Sequence, residues 1–233
     1  RVNRVFAKKA NHVVSGFKRL ERLPDGARHS CLGNPMRAQI IAAVPQSYLV
    51  PTDKINILIV GGSLGAKIIS ETMPAALALL PEALRTKLHV VQQTLPDYQD
   101  QAREVYKSAG VSAICETFFK NIETHLAAAH YVVGRAGAGS VCEIAVMGKP
   151  SLLVPLAIAM DDHQSANAMS LACHNAADIL TESEFTPERV KTILEARLND
   201  SHWLKQAAAA AHTAGRPDAA QDLAALVVNT ACE

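Results

Sequence analysis

Apolar residues fall in two different rhythms along this chain of 233 residues. From residue 55 onward, short unbroken apolar runs alternate with longer stretches whose apolar positions recur every three or four residues. Runs bounded by glycine or polar turns predict buried strands, and the longer period predicts helices packed on one face. The first run, Ile55-Asn56-Ile57-Leu58-Ile59-Val60, predicts a strand that ends in Gly61-Gly62-Ser63-Leu64-Gly65. Further strands are predicted at 88–91, 113–117, 131–134, 151–155 and 177–180. Helices are predicted at 66–80, 97–109 (with a stop at Gly110), 122–129, 139–147, 162–174, 187–198, 201–213 and 218–230. Six strands alternating with helices predict an α/β fold with a doubly wound parallel sheet, Rossmann-like and covered by helices on both faces.

The first fifty residues follow no such rule. Residues 1–19 read as a basic amphipathic helix or helix end, with Val2, Val5, Phe6, Val13 and Val14 apolar. A polar turn at Pro24-Asp25-Gly26 follows, then Cys31 to Arg37 with the turn signal Asn34-Pro35. Residues 45–54 have linker character, and the expected linker extends back to residue 38.

Composition sharpens the picture at three points. Charge is unevenly placed: residues 1–37 carry nine Lys/Arg against Glu21 and Asp25, while the whole chain nets +1. A basic end suits a membrane surface or nucleic acid, and equally a solvated surface. The five cysteines are widely spaced with no C-x-x-C pair, so neither a zinc knot nor a disulfide framework is indicated. No apolar run approaches the ~18 residues of a membrane-spanning helix.

Candidate chemistry gathers in glycine-rich strand-to-helix turns. Gly134-Arg135-Ala136-Gly137-Ala138-Gly139-Ser140-Val141-Cys142-Glu143 runs from a strand into a helix. Glycines there let backbone N–H groups approach an anion, and the helix start adds a positive dipole end. Glu143, about one turn into that helix, is placed to accept hydrogen bonds from a vicinal diol such as a ribose. The turn Gly61-Gly62-Ser63-Leu64-Gly65 matches neither G-x-G-x-x-G nor a Walker A loop, and Gln92-Gln93 stand where a nicotinamide-binding fold places an acid. Ser63 suits either a phosphate contact or a helix cap. In a parallel sheet both turns open on the carboxyl edge, where two of them can grip a nucleotide diphosphate. No D-x-D pattern is present, so no metal is expected, and the leaving charge falls to backbone N–H groups, a helix dipole and an arginine. A third stretch, Asp161-Asp162-His163-Gln164-Ser165-Ala166-Asn167-Ala168, offers a helix cap and a carboxamide suited to sugar hydroxyls; a metal-binding reading lacks further ligands. At the end of the strand at 113–117, Phe118-Phe119 can present main-chain groups to a base edge.

Taken together, Gly61-Gly62-Ser63-x-Gly65-Ala66, the helix ending near Met73-Pro74, Gly134-Arg135-Ala136-Gly137-Ala138 with Glu143, and Asp161-Asp162-His163-Gln164-x-x-Asn167-Ala168 resemble the MurG family. These are the UDP-N-acetylglucosamine:N-acetylmuramyl-(pentapeptide)-pyrophosphoryl-undecaprenol N-acetylglucosamine transferases of peptidoglycan synthesis. Gly33-Asn34-Pro35-Met36-Arg37 resembles the passage between that family's two domains. The resemblance implies a GT-B fold with the donor held by the C-terminal domain, at residues 55–216. Residues 1–37 would be the end of the N-terminal domain, and 217–233 a helix packing back toward it. It further implies Arg37 near the diphosphate or sugar, Ser63 on a phosphate, main chain at Phe119 on the uracil, and residues 138–143 (Ala138, Gly139, Ser140, Val141, Cys142, Glu143) around diphosphate and ribose. Gln164 would hold GlcNAc hydroxyls, with Gly61, Gly62, Gly65 and Gly137 shaping the phosphate loops. Phe119 stands where the family commonly has a smaller aliphatic residue, and Leu64 where a Gln is common. Implied partners are UDP-GlcNAc, a lipid-linked muramyl-pentapeptide acceptor and the cytoplasmic face of the bacterial inner membrane, with no nucleic acid and no cofactor. The family's acceptor-side glycine loop and histidine have no counterpart in this chain, so the catalytic base is expected outside it, and the chain alone is expected to be inactive. The competing expectations are a non-catalytic UDP-sugar-binding subunit with a separate membrane partner, a nicotinamide-dependent enzyme, and a related transferase using another UDP-sugar or a diacylglycerol acceptor.

Overall fold

Leu58 and Val132 lie side by side at the centre of the molecule, in strands β3 (Ile55–Val60) and β6 (Tyr131–Arg135), which pair in parallel. The computed structural model describes residues 5–18, 23–62, 66–156 and 163–232. Around the central pair, β4 (Leu88–Gln93), β5 (Ser112–Glu116), β7 (Ser151–Val154) and β8 (Ala177–Ile179) complete a six-stranded sheet of order β5-β4-β3-β6-β7-β8. All five pairings are parallel, so the expected doubly wound sheet is present.

The alternation of side chains along each strand builds two cores. Ile55, Ile57 and Ile59 of β3, with Leu88, Val90, Tyr131, Val133, Leu152 and Val154, face one side. There they meet α2 (Lys67–Ala78), α3 (Glu82–Arg85), α4 (Gln99–Ser108) and α8 (Pro187–Leu198). Leu58, Val91, Val132 and Leu153 face the other side. They meet α1 (Ala38–Ala42), α5 (Ile122–Ala128), α6 (Ala138–Val146) and α7 (His163–Ala172), with the end of α9 (Ser201–Ala214). A final helix, α10 (Ala219–Ala231), has Ala219 as its buried residue and leaves Val227 and Val228 exposed.

Three departures from the sequence expectations have physical causes. Residues 13–15 are strand rather than helix: β1 (Val13–Ser15) pairs in parallel with β2 (His29–Cys31) in a separate two-stranded sheet. Two β-branched valines favour that state, and cross-strand bonds from His12 Nε2 to Ser30 Oγ and between Ser15 Oγ and His29 Nε2, each 2.9 Å, lock the register. Second, α2 keeps the helix predicted at 66–80 and runs through Pro74 to Ala78, past the end near Met73-Pro74 that the family resemblance suggested. A proline inside a helix costs about 3 kcal/mol, but fully burying Met73 and Leu77 returns about 1.5–3 kcal/mol each, so packing wins. Third, α1 falls inside the segment expected as linker because Ile40 is fully buried against the second core. The short α3 was not expected; its Arg85 Nη1 donates to Ala78 O at 2.9 Å, capping the end of α2.

Candidate functional site

In this strand order the chain leaves β3 toward β4 and β5, then returns to the other side of β3 as β6. Neighbouring β3 and β6 therefore send their connections to opposite sides, and a crevice opens at their carboxyl ends. Residues 61–62 of the first glycine turn and the start of the helix after the second lie at these strand ends. Residues 61 and 62 follow β3, and Gly62 has φ +82, a conformation that favours glycine. Ser63, Leu64 and Gly65 lie outside the described residues, so the expected roles of Ser63 and Gly65 are not placed.

After β6, Gly137 is the N-cap of α6, and no side chain caps the helix. Ala138 and Gly139 are exposed and Gly137 and Ser140 half-buried, so the first-turn N–H groups face the crevice with their positive partial charge. A methyl group added at Gly139 would meet nothing within 4 Å, and one at Gly137 only Ser140 Oγ at 3.9 Å. Gly134 behaves oppositely: its added carbon would sit 2.8 Å from Val60 Cγ2 and 2.9 Å from Val60 O. One glycine of the motif lets strands approach, and the other two leave room for something else.

Glu143 faces that room from the next turn. Its Oε1 accepts a hydrogen bond from Arg37 Nη2 at 3.3 Å, and the Arg37 side chain is 57% exposed. Arg37, distant in sequence, thus stands beside α6 at Glu143. Within the same helix, Val141 is buried in the core, so its side chain is closed to a ligand. The Cys142 thiol accepts from Asn34 Nδ2 at 3.4 Å and is pushed up in pKa by burial. The Val141 N–H is itself taken up by Gly137 O at 3.0 Å, so the free donors of this helix start are those of residues 138–140.

The flanking loops complete the edge. Gln93 had drawn notice only as a missing acid; here its Oε1 accepts from Gly61 N at 3.2 Å and its Nε2 donates to Thr117 O at 3.3 Å. It thereby joins the first glycine turn to the loop of Phe118 and Phe119. An amide at a strand end, able to donate and accept at once, was the available signal. Phe119 packs its ring against His125, centroids 4.9 Å apart, while Phe118 is 71% exposed. On the other flank, Gln164 Oε1 accepts from Leu156 N at 3.0 Å and Asn167 Nδ2 donates to Ala136 O at 3.1 Å. Asp161 and Asp162 lie outside the described residues, and His163 is exposed. Among the described residues no three His, Cys, Asp or Glu stand close enough to hold a metal, and no helix is long and apolar enough to cross a membrane.

An uncapped glycine-rich helix start at the switch point of a parallel sheet is the arrangement of a nucleotide-binding α/β domain, here of GT-B type. The chain belongs to glycosyltransferase family 28: the model for the family's C-terminal domain matches residues 56–223. It is similar to two enzymes named UDP-N-acetylglucosamine--N-acetylmuramyl-(pentapeptide) pyrophosphoryl-undecaprenol N-acetylglucosamine transferase. That of Maricaulis maris is 51% identical over 97% of this chain and 63% of its own length. That of Methylobacterium sp. (strain 4-46) is 44% identical over 99% of this chain and 63% of its own. The crystal structure of Acinetobacter baumannii MurG superposes with a TM-score of 0.80 at 29% identity, covering 98% of this chain and 64% of that one. The likeness to MurG and the GT-B fold expected from the sequence are both borne out. The chain spans a little under two thirds of the length of these relatives.

Proposed function

We propose that this chain is the donor-binding part of an inverting glycosyltransferase that moves GlcNAc from UDP-GlcNAc to undecaprenyl-pyrophosphoryl-MurNAc-pentapeptide. The observation that carries this reading is the uncapped start of α6, with open space at Gly137 and Gly139 and the Arg37–Glu143 pair one turn further on. Donor diphosphate fills the open space against the N–H groups of Ala138, Gly139 and Ser140. Glu143 takes the ribose diol, the main chain at Phe119 the uracil, Ser63 a phosphate and Gln164 the sugar hydroxyls. In the reaction an acceptor hydroxyl attacks the anomeric carbon, the bond to the diphosphate oxygen breaks, and UDP leaves. Negative charge grows on the leaving diphosphate, where the helix start and the Arg37 guanidinium lower its energy. The hydroxyl proton passes to a base supplied by the part of the longer relatives that this chain does not span. That part also supplies the acceptor site and the contact with the cytoplasmic face of the inner membrane.

Titration calorimetry tests this directly. UDP-GlcNAc is expected to release heat on binding and NAD to release none; heat with NAD alone would sink the reading in favour of a nicotinamide enzyme. The 233-residue chain by itself is expected to transfer no GlcNAc to the lipid-linked acceptor. Turnover by the chain alone would overturn the division of labour.

A further inference from the structure

An arginine inside a glycine-rich turn at a phosphate crevice invites assignment as an anion ligand. Arg135 is committed elsewhere. Its side chain is 12% exposed, and Nη1 donates to Val154 O at 3.3 Å and to Pro155 O at 3.4 Å. Its Nη2 is bonded to Glu182 Oε1. Val154 is the last residue of β7, and two residues further Leu156 N–H donates to Gln164 Oε1. The neighbouring Ala136 carbonyl accepts from Asn167 Nδ2 on α7. The end of β6 is therefore bonded both to the end of β7, through Arg135, and to α7, through Ala136.

From this geometry we infer that Arg135 and Glu182 are positioning residues for sugar recognition, acting through the end of β7 and Leu156, whose N–H holds Gln164; the inference rests on the donor-binding reading above. Charge-assisted bonds to two consecutive carbonyls fix where the chain leaves β7. Glu182, reached from beyond β8, fixes the guanidinium plane that makes them. With Oε1 of Gln164 accepting from Leu156 N–H, its NH2 end is the side that meets a sugar oxygen. Recognition by one carboxamide depends on its placement to within about half an ångström, which the bond to Leu156 secures only if the end of β7 is itself fixed. The proposed diphosphate and uracil contacts, at Arg37, Ser63, the start of α6 and the loop after β5, are none of the groups that Arg135 bonds.

The test is calorimetry of UDP, UDP-GlcNAc and its C4 epimer UDP-GalNAc on the 233-residue chain and on Arg135→Lys, Glu182→Gln, Gln164→Ala and the Glu182→Gln/Gln164→Ala pair. Thermal melting checks that each folds, and if Arg135→Lys does not, Glu182→Gln decides. The unaltered chain is expected to bind UDP and to prefer UDP-GlcNAc over the epimer. In Arg135→Lys and Glu182→Gln that preference should fall by about fivefold to tenfold while UDP affinity stays within about twofold. In the Gln164→Ala background, adding Glu182→Gln should change the preference no further. An unchanged preference, equal weakening of UDP and both sugars, or a further fall in the Gln164→Ala background each overturns the inference. So does an unaltered chain that binds UDP but does not distinguish the epimers. An unaltered chain that binds no UDP instead overturns the donor-binding reading itself.

Discussion

At the amino edge of the sheet, Tyr48, Asn56, His130 and Lys149 find their polar partners within the chain, whereas at the carboxyl edge polar groups converge on space left open. Below β3 and β6, Tyr48 OH donates to His130 O at 3.0 Å and Asn56 N–H to His130 Nδ1 at 2.9 Å. Lys149, 3% exposed, donates to Ala127 O at 2.8 Å, a cation at the C-terminal end of α5. Burial pushes its amine down to about 8, and burial together with the Lys149 charge holds His130 below the usual imidazole range. Above the same strands, the α6 N-terminus has no side-chain cap and the Arg37–Glu143 pair is partly exposed. A buried group satisfied inside the chain serves the fold. Convergent donors facing empty space are what a ligand can use.

That contrast breaks most visibly at the glycines of one motif. Gly139→Val should lower UDP affinity by about a hundredfold or more, because a side chain there occupies the space assigned to diphosphate. Stability should barely move, since nothing lies within 4 Å of the added carbon. Calorimetry beside urea unfolding reads both, and a large loss of stability would show that the space belongs to the fold. Gly134→Ala should do the reverse in origin: it presses on Val60 across the β3–β6 ladder and should cost about 1–3 kcal/mol of stability.

Smaller effects separate the edges further. Glu143→Ala should weaken UDP binding about tenfold, the scale of a charge-assisted hydrogen bond. It should weaken 2′-deoxy-UDP much less, because only the ribose compound offers both hydroxyls; equal losses for both would remove Glu143 from the ribose. Lys149 predicts a pH dependence of known sign. Its ammonium is disfavoured in the folded state, so the penalty is full below pH 8 and fades as pH rises toward the ordinary lysine value of 10.5. Relative to Lys149→Met, the unaltered chain should therefore gain about 1 kcal/mol between pH 7 and pH 9 in urea unfolding. A flat difference would mean that the amine titrates normally. Smallest of all, Arg37→Ala should change stability by no more than about 0.5 kcal/mol, as an exposed ion pair does, yet lower UDP-GlcNAc affinity measurably.

The two edges were unequally legible in the sequence. Both glycine turns, the carboxylate at Glu143 and the carboxamide at Gln164 stood out because anion and diol recognition need particular residue types at particular spacings. Gln93 and Arg135 were passed over: what each does is set by where Thr117 O, Val154 O and Glu182 come to lie, and no spacing along the chain encodes that. Val141 and Cys142 were included by position within the motif, yet helix periodicity turns one side chain into the core and the other toward Asn34.

The sequence by itself determined the α/β class, the six parallel strands and the places where backbone would be free to meet an anion, because local periodicity and glycine placement are properties of neighbouring residues. It also carried the likeness to MurG, through motifs spread from Gly33 to Asn167. Only the tertiary structure decided that Val13–Ser15 pairs with His29–Cys31, that Ile40 carries a helix into the expected linker, and that β6 returns beside β3 to set residues 61–62 and the start of α6 around one crevice. Each of these depends on contacts between residues far apart along the chain, and such contacts override local propensity whenever the surface they bury outweighs it.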